Sequence, residues 1–371
     1  MSNFKVKLNT KIISLLIAFS ISILLIRNSI SPEIRFDEFA LGDKTSSYFA
    51  IKNDKPIHFD RLTEKSVEEI NKGWIQRGSK DVVFILGNSQ THSINQMKTD
   101  ELNYVKLLSD SLSKNIDILA HTFPNANTQE MLFSYLYFKN NYPVKYLIIP
   151  LFFDDFREDF VREYFFEYLI KNFHKNEKYS LIQSKIKNIS RSDDSNAGID
   201  GTYQEKSERY LNNKLLTFSE LWKSREKMRG DIFIKLYLLR NSFFGINASS
   251  NRKIIRNVYN DNMNALNHIL YDAKENKVNV ILYIPPIRYD IDIPYDSNEY
   301  DSFKSEISKI SDSFTNVKFF NLEKIIPANY WGMTESTNLS SEAEYDFMHF
   351  QYSGHKILFQ ELKNIIEQHF K

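Results

Sequence analysis

Five short apolar runs punctuate the chain: residues 82–86 (Val82, Val83, Phe84, Ile85, Leu86), 116–120, 146–151, 278–284 and 317–320. Between them, apolar positions recur every three to four residues. Predominantly apolar runs of this length predict strands buried on both faces, and the wider spacing predicts amphipathic helices. The helices fall at 101–112, 128–140, 256–275, 300–314 and 354–369. In the second of these, Met131, Leu132, Tyr135, Leu136 and Phe138 keep the helical period. Residues 90–95 open a turn or short helix, and Pro285-Pro286 stops the fourth strand. Strands alternating with helices predict an α/β fold, with a parallel sheet covered by helices on both faces.

Three segments stand outside this rhythm. Residues 31–80 are mixed and polar, with a helix predicted over 61–76, and read as a stalk and lead-in to a domain at 81–371. From about 160 to 251 the alternation stops. Helix-like aromatic stretches (160–173, 215–227, 232–244) flank a polar loop at 189–198, which reads as a helical insertion. At the N-terminus, residues 12–26 carry no charge and are apolar apart from three serines. Lys5, Lys7 and Lys11 precede them and Arg27 follows. A membrane anchor and a cleaved signal peptide both fit such a run. No small-x-small site follows at Arg27-Asn28-Ser29-Ile30, and the flanking cations can snorkel to lengthen the span, which favours an uncleaved transmembrane helix within residues 1–30. The lysines then place the N-terminus in the cytoplasm and everything after it in the periplasm or cell exterior.

Composition removes several function classes. With 42% hydrophobic and 26% charged residues, the chain can build a packed core rather than remain disordered. Lys and Arg total 48 against 47 Asp and Glu, without the basic excess of a nucleic-acid binder. No cysteine is present, which excludes disulfides, thiolate catalysis and thiolate metal ligands. The histidines lack metal-ligand spacing, and no metal or other cofactor is expected.

Ligands of open parallel sheets bind beyond the carboxyl ends of the strands. Ser89, Asp154 and Arg288 all follow strands at that edge. Ser89 lies in Gly87-Asn88-Ser89-Gln90, directly after the first strand, and far along the chain comes Asp346-Phe347-Met348-His349. A serine hydroxyl needs a base within hydrogen-bond reach, and the base needs an orienting group. His349 and Asp346 are candidates for those roles. Gly87 lets the chain turn sharply. Asp154, Asp155, Arg288 and His92 are substrate-binding candidates, and Tyr330 and Trp331 are candidates for stacking on a sugar ring.

These blocks resemble the SGNH (GDSL-type) hydrolase superfamily. Gly87-Asn88-Ser89-Gln90 is similar to that family's Gly-Asp-Ser-Leu turn, and Asp346-Phe347-Met348-His349 to its Asp-x-x-His block before the closing helix. The resemblance spans roughly 81–370 and leaves the insertion unmatched. It implies a three-layer, flavodoxin-like α/β/α fold and a Ser89–His349–Asp346 triad. Two blocks depart from the pattern. Thr122-Phe123-Pro124-Asn125-Ala126-Asn127 lacks the family's oxyanion glycine, and Asp154-Asp155-Phe156-Arg157 lies where the family carries Gly-x-Asn-Asp. The resemblance leaves Asn125, Ala126, Asn127 and Arg157 as oxyanion candidates.

With an anchor, the chain is similar to membrane-tethered proteins of envelope polysaccharide O-acetylation and D-alanyl transfer. That likeness implies an acylated glycan or other ester as substrate. It implies an esterase or O-acyltransferase activity, and for transfer a membrane partner that hands over the acyl group. Two alternatives stay open: a catalytically silent scaffold binding glycan or envelope partners, and a secreted soluble esterase if the N-terminal run is cleaved.

Overall fold

The computed structural model describes residues 44–112, 114–159, 161, 162, 165, 235–246, 250–336, 339 and 343–369. The N-terminal apolar run and its anchor reading lie outside the described residues, as does most of the 160–251 insertion. Residues 235–243 of the insertion are helical. Among the described residues no helix is long and apolar enough to cross a membrane.

The described chain begins with short strands β1 (Thr45–Ser47), β2 (Ile51–Lys52), β3 (Lys55–Pro56) and β4 (His58–Phe59), then helix α1 (Glu64–Gln76). Thr63 starts α1 through a capping box: its hydroxyl accepts from the Ser66 N–H, and Ser66 Oγ accepts from the Thr63 N–H. There follow β5 (Val82–Gly87), the one-turn helix α2 (Ser89–His92), β6 (Ser93–Asn95), α3 (Tyr104–Leu112), β7 (Asp117–Thr122), α4 (Thr128–Asn141) and β8 (Val144–Pro150). A 3-10 turn, Asp154–Phe156, leaves β8. The rest comprises α5 (Arg256–Glu275), β9 (Asn279–Ile284), α6 (Ser297–Asp312), β10 (Val317–Asn321), β11 (Trp331–Thr334), β12 (Glu344–Phe350) and α7 (Tyr352–His369).

Six strands form one sheet in the order β10-β9-β8-β5-β7-β4, and every neighbouring pair is parallel. The apolar run of β5 is buried at all six positions because alternate side chains enter different cores. Val82, Phe84 and Leu86 pack with residues of α4, α5 and α6, among them Phe138, Leu266 and Phe303. Val83 and Ile85 pack with Tyr104 and Leu108 of α3 and with Leu358 and Leu362 of α7. This gives the three layers the alternation predicts. From β5 the chain goes to β7 on one side and returns through β8 on the other. The topological switch point therefore lies at the carboxyl ends of β5 and β8, where such sheets bind ligands.

Contrary to the stalk and lead-in that their polar sequence predicts, residues 44–80 are part of the domain. β4 pairs with β7 as the sheet's edge strand, β1 pairs with β6, and Ile57, Leu62 and Ile70 are core residues. The strands there are only two or three residues long, too short to show a period.

Candidate active site

β5 delivers the chain to Gly87. A methyl group there would lie 2.3 Å from Thr91 Oγ1, so only glycine lets α2 fold back this tightly against the strand end. Asn88 then caps α2, its Oδ1 accepting from the Gln90 N–H at 3.0 Å. Its Nδ2 donates to Asp155 Oδ1 at 2.9 Å. That bond ties the exits of β5 and β8 across the switch point. Burial pushes the Asp155 carboxyl well above the usual range. The Asn88 donation opposes this, and the neighbouring Asp154 adds to it. Ser89, the next residue, opens the helix.

Asp346 and His349 arrive on β12. Three residues apart on a regular strand, they would point to opposite faces. The pairing with β11 shows why they do not: Trp331 stands opposite Phe350 and Met333 opposite Tyr345, so Gly332 alone faces residues 346–349. Those four residues bulge out. Asp346 Oδ1 accepts from the backbone N–H groups of Met348 (2.9 Å) and His349 (2.8 Å) and closes the bulge from within. Asp346 Oδ2 lies 3.0 Å from His349 Nδ1, and His349 Nε2 lies 3.0 Å from Ser89 Oγ. Ser89 and His349 are each 8% exposed and Asp346 4%, so bulk water does not compete for these bonds.

The donor directions follow from the carboxylate. Burial alone would raise the Asp346 carboxyl. His349 and the two backbone donors outweigh it and hold the group below its ordinary value, so it is ionised near neutral pH. An ionised carboxylate only accepts, so Nδ1 donates to it, and Nε2 is the ring nitrogen that faces the serine hydroxyl. Asn95 completes the arrangement: its Nδ2 lies within hydrogen-bond distance of Asp346 Oδ2 (3.2 Å), Thr45 Oγ1 (3.0 Å) and the Met333 carbonyl (3.1 Å).

Asn95 reaches the carboxylate over the bare backbone of Gly332. A Cβ at that position would lie 1.7 Å from Asn95 Oδ1. Gly332→Ala is therefore expected to displace Asn95, lower stability by about 1–3 kcal/mol and reduce turnover about tenfold or more through the loosened carboxylate. Urea unfolding and initial-rate ester hydrolysis measure the two effects.

The structure brings Ser89, His349 and Asp346 together. It engages the four substrate-binding candidates elsewhere. Asp155 is buried against Asn88. Asp154 accepts from Arg157 and Arg252 and from the Tyr295 hydroxyl at 3.1 Å. Arg288 grips Asp290 with two bonds of 2.8 and 3.2 Å, donates to the Gly332 carbonyl at 3.0 Å and lies over the Tyr345 ring. His92, 1% exposed, stacks on Phe49 with Nδ1 2.9 Å from Thr122 Oγ1, and burial lowers it to about 3. Each of the four thus has partners within the protein.

Among the oxyanion candidates, Arg157 donates to the Lys253 carbonyl and to Asp154. Asn127 caps α4 through its Oδ1. Asn125, at a positive φ of 48°, and the buried Ala126 form the turn between β7 and α4. Trp331 is buried and donates to the Ile326 carbonyl, which removes it as a sugar platform. The sequence reading missed Asn95, Thr45 and Gly332. Their roles are bonds and clearances to residues up to 251 positions away, which no local pattern announces.

No protein-family model matches the sequence, and no curated protein matches it. Among solved structures the chain is similar to a candidate acylhydrolase from Bacteroides fragilis (9% identity, TM-score 0.38, covering 84% of this chain and 100% of that one). It is also similar to a GDSL-like lipase from Bacteroides thetaiotaomicron (11% identity, TM-score 0.35, 78% and 88% covered). A third is a catalytic mutant of an acetylxylan esterase from Geobacillus stearothermophilus (11% identity, TM-score 0.36, 78% and 95% covered).

Proposed function

We propose that the chain is a serine esterase or O-acyltransferase that forms an acyl-enzyme on Ser89. The observation that carries this is the 3.0 Å approach of His349 Nε2 to the Ser89 hydroxyl, with the Asp346 carboxylate 3.0 Å from the ring's other nitrogen. Ser89 Oγ attacks the ester carbonyl carbon as its proton passes to His349 Nε2. Asp346 stabilises the imidazolium that results. The C–O bond to the leaving alcohol breaks, and that alcohol takes the proton from Nε2. Water, or a sugar hydroxyl in the transferase case, then attacks the acyl carbon while His349 takes its proton. Ser89 leaves with a proton returned from the ring. The backbone N–H groups of Ser89 and of Asn125 or Ala126 are the proposed oxyanion donors.

The proposed substrate is an acylated cell-surface glycan or a similar ester. The apolar run at 12–26 supports a membrane-tethered, outward-facing enzyme. Transfer rather than hydrolysis requires a membrane protein to supply the acyl group.

A second reading, a silent scaffold, draws on one observation. At the β8 exit the side chains that would donate to an oxyanion are engaged: Arg157 is held by Asp154 and the Lys253 carbonyl. A fluorophosphonate serine probe separates the two. The enzyme reading expects covalent labelling of the folded protein, mapped to Ser89 by peptide mass spectrometry. Folded protein that stays unlabelled favours the scaffold.

A further inference from the structure

We infer that Gln90 is a positioning residue for the Ser89–His349 pair, holding the main chain beside the base at a fixed distance from the nucleophile. The inference rests on the serine reading above and adds a residue to its machinery.

Gln90 is 2% exposed. Its Nε2 donates to the Met348 carbonyl at 2.6 Å and to the Pro286 carbonyl at 2.8 Å. The amide has two hydrogens, and each has an acceptor. Gln90 is one peptide bond from Ser89, and the Met348 carbonyl is one peptide bond from His349. Side chain, carbonyl, imidazole and hydroxyl therefore close a ring through the His349–Ser89 contact, joining segments 258 residues apart in sequence.

The bulge explains why such a strut is needed. With only Gly332 opposite residues 346–349, the bulged carbonyls lack ladder partners. Two of them are satisfied from outside the hairpin: Phe347 by the Arg288 backbone N–H at 3.1 Å, and Met348 by Gln90. The Phe347 contact fixes the bulge to the loop after β9. The Met348 contact fixes it to the nucleophile's own turn. The Pro286 bond stops the Gln90 amide from rotating away. The backbone of Gln90 is itself held, its N–H on Asn88 Oδ1. Without the strut the Met348 carbonyl loses its donor, and the bulge is free to shift relative to Ser89. Rates fall steeply when reacting groups move: a displacement of about 1 Å costs about 10²-fold.

The test uses full-length protein with two substitutions. Gln90→Met keeps length and apolar bulk but removes both donors. Gln90→Glu places a carboxylate against two carbonyls, and in its protonated form recovers a single donor. Thermal unfolding identifies the conditions in which each variant is folded. Fluorophosphonate labelling rates and steady-state hydrolysis of a small aryl acetate are then measured from pH 5 to 9.

The expected result for Gln90→Met is a fall in kcat and labelling rate of about 10- to 100-fold, with KM changed less than about threefold because the binding surface is untouched. For Gln90→Glu the expected result is a similar loss above neutrality with partial recovery toward acid pH, a profile that lost stability alone does not produce. Folded variants with wild-type kcat, labelling rate and pH profile overturn the inference while wild-type labelling leaves the serine reading standing. Wild-type protein that fails to label overturns both.

Discussion

Ser89→Ala is expected to lower ester turnover by about 10⁵–10⁶-fold, His349→Ala to lower it about as much, and the double variant to be no worse than either. In the proposed mechanism serine and imidazole act as one device: without the base the hydroxyl is a poor nucleophile, and without the hydroxyl the base has no proton to take. Their losses therefore do not multiply. Ser89 Oγ lies 3.0 Å from His349 Nε2, and the residue sits at the start of α2, whose cap is Asn88 and not Ser89. Alanine fits the same space, so the variant should remain folded, with stability lowered by about 1 kcal/mol for the lost hydrogen bond. Initial rates on an aryl acetate, normalised to folded protein, measure the effect. Turnover of Ser89→Ala within tenfold of wild type would remove Ser89 as the nucleophile. Losses that multiply in the double variant would mean that the 3.0 Å contact is not the catalytic one.

Much of this arrangement was legible in the chain, and what was not has identifiable causes. The central strands β5, β7 and β9 could be read because both faces are buried, which leaves largely apolar runs such as Val82–Gly87. The helix at residues 256–275 was readable from its period alone. The types of the three site residues were readable from chemistry: a serine after a buried strand and a separate Asp-x-x-His. Their meeting was not. It depends on a bulge whose cause is a pairing offset between β11 and β12, and pairing is not written in either strand by itself.

The contacts of Asn95 and Gln90 were invisible for the same reason, since their bonds run to carbonyls and a carboxylate more than 190 residues away. Charge partners were equally hidden. Arg288 and Asp154 lie at the ligand edge, where position alone suggests substrate contact. The groups that neutralise them, Asp290 for one and Arg157 and Arg252 for the other, emerge only in three dimensions.

Asp346→Asn is expected to lower kcat about 10⁴-fold while leaving the fold intact, and the reason lies in hydrogen-bond polarity. The wild-type carboxylate accepts on both oxygens: Oδ1 from two backbone N–H groups, Oδ2 from His349 Nδ1 and Asn95 Nδ2. An asparagine has only one accepting atom. With its oxygen on the two backbone N–H groups, its NH₂ faces His349 Nδ1. The imidazole must then move its proton to Nε2 to accept at Nδ1. A ring protonated at Nε2 presents a donor to Ser89 and cannot take the serine proton. With the amide reversed, NH₂ meets the two backbone donors and the bulge itself is disrupted.

Acid stability carries a second signature. The folded Asp346 carboxyl is held below its ordinary value, so its contribution is fully present above the unfolded value near ~3.9 and is lost as pH falls through the lowered folded value. The asparagine variant has no proton to bind and should lack that part of the acid dependence. Comparing kcat together with the pH dependence of urea unfolding in wild type and variant tests both. Wild-type kcat in a folded Asp346→Asn protein would show that neither this carboxylate's charge nor its hold on the imidazole's tautomer is needed for turnover.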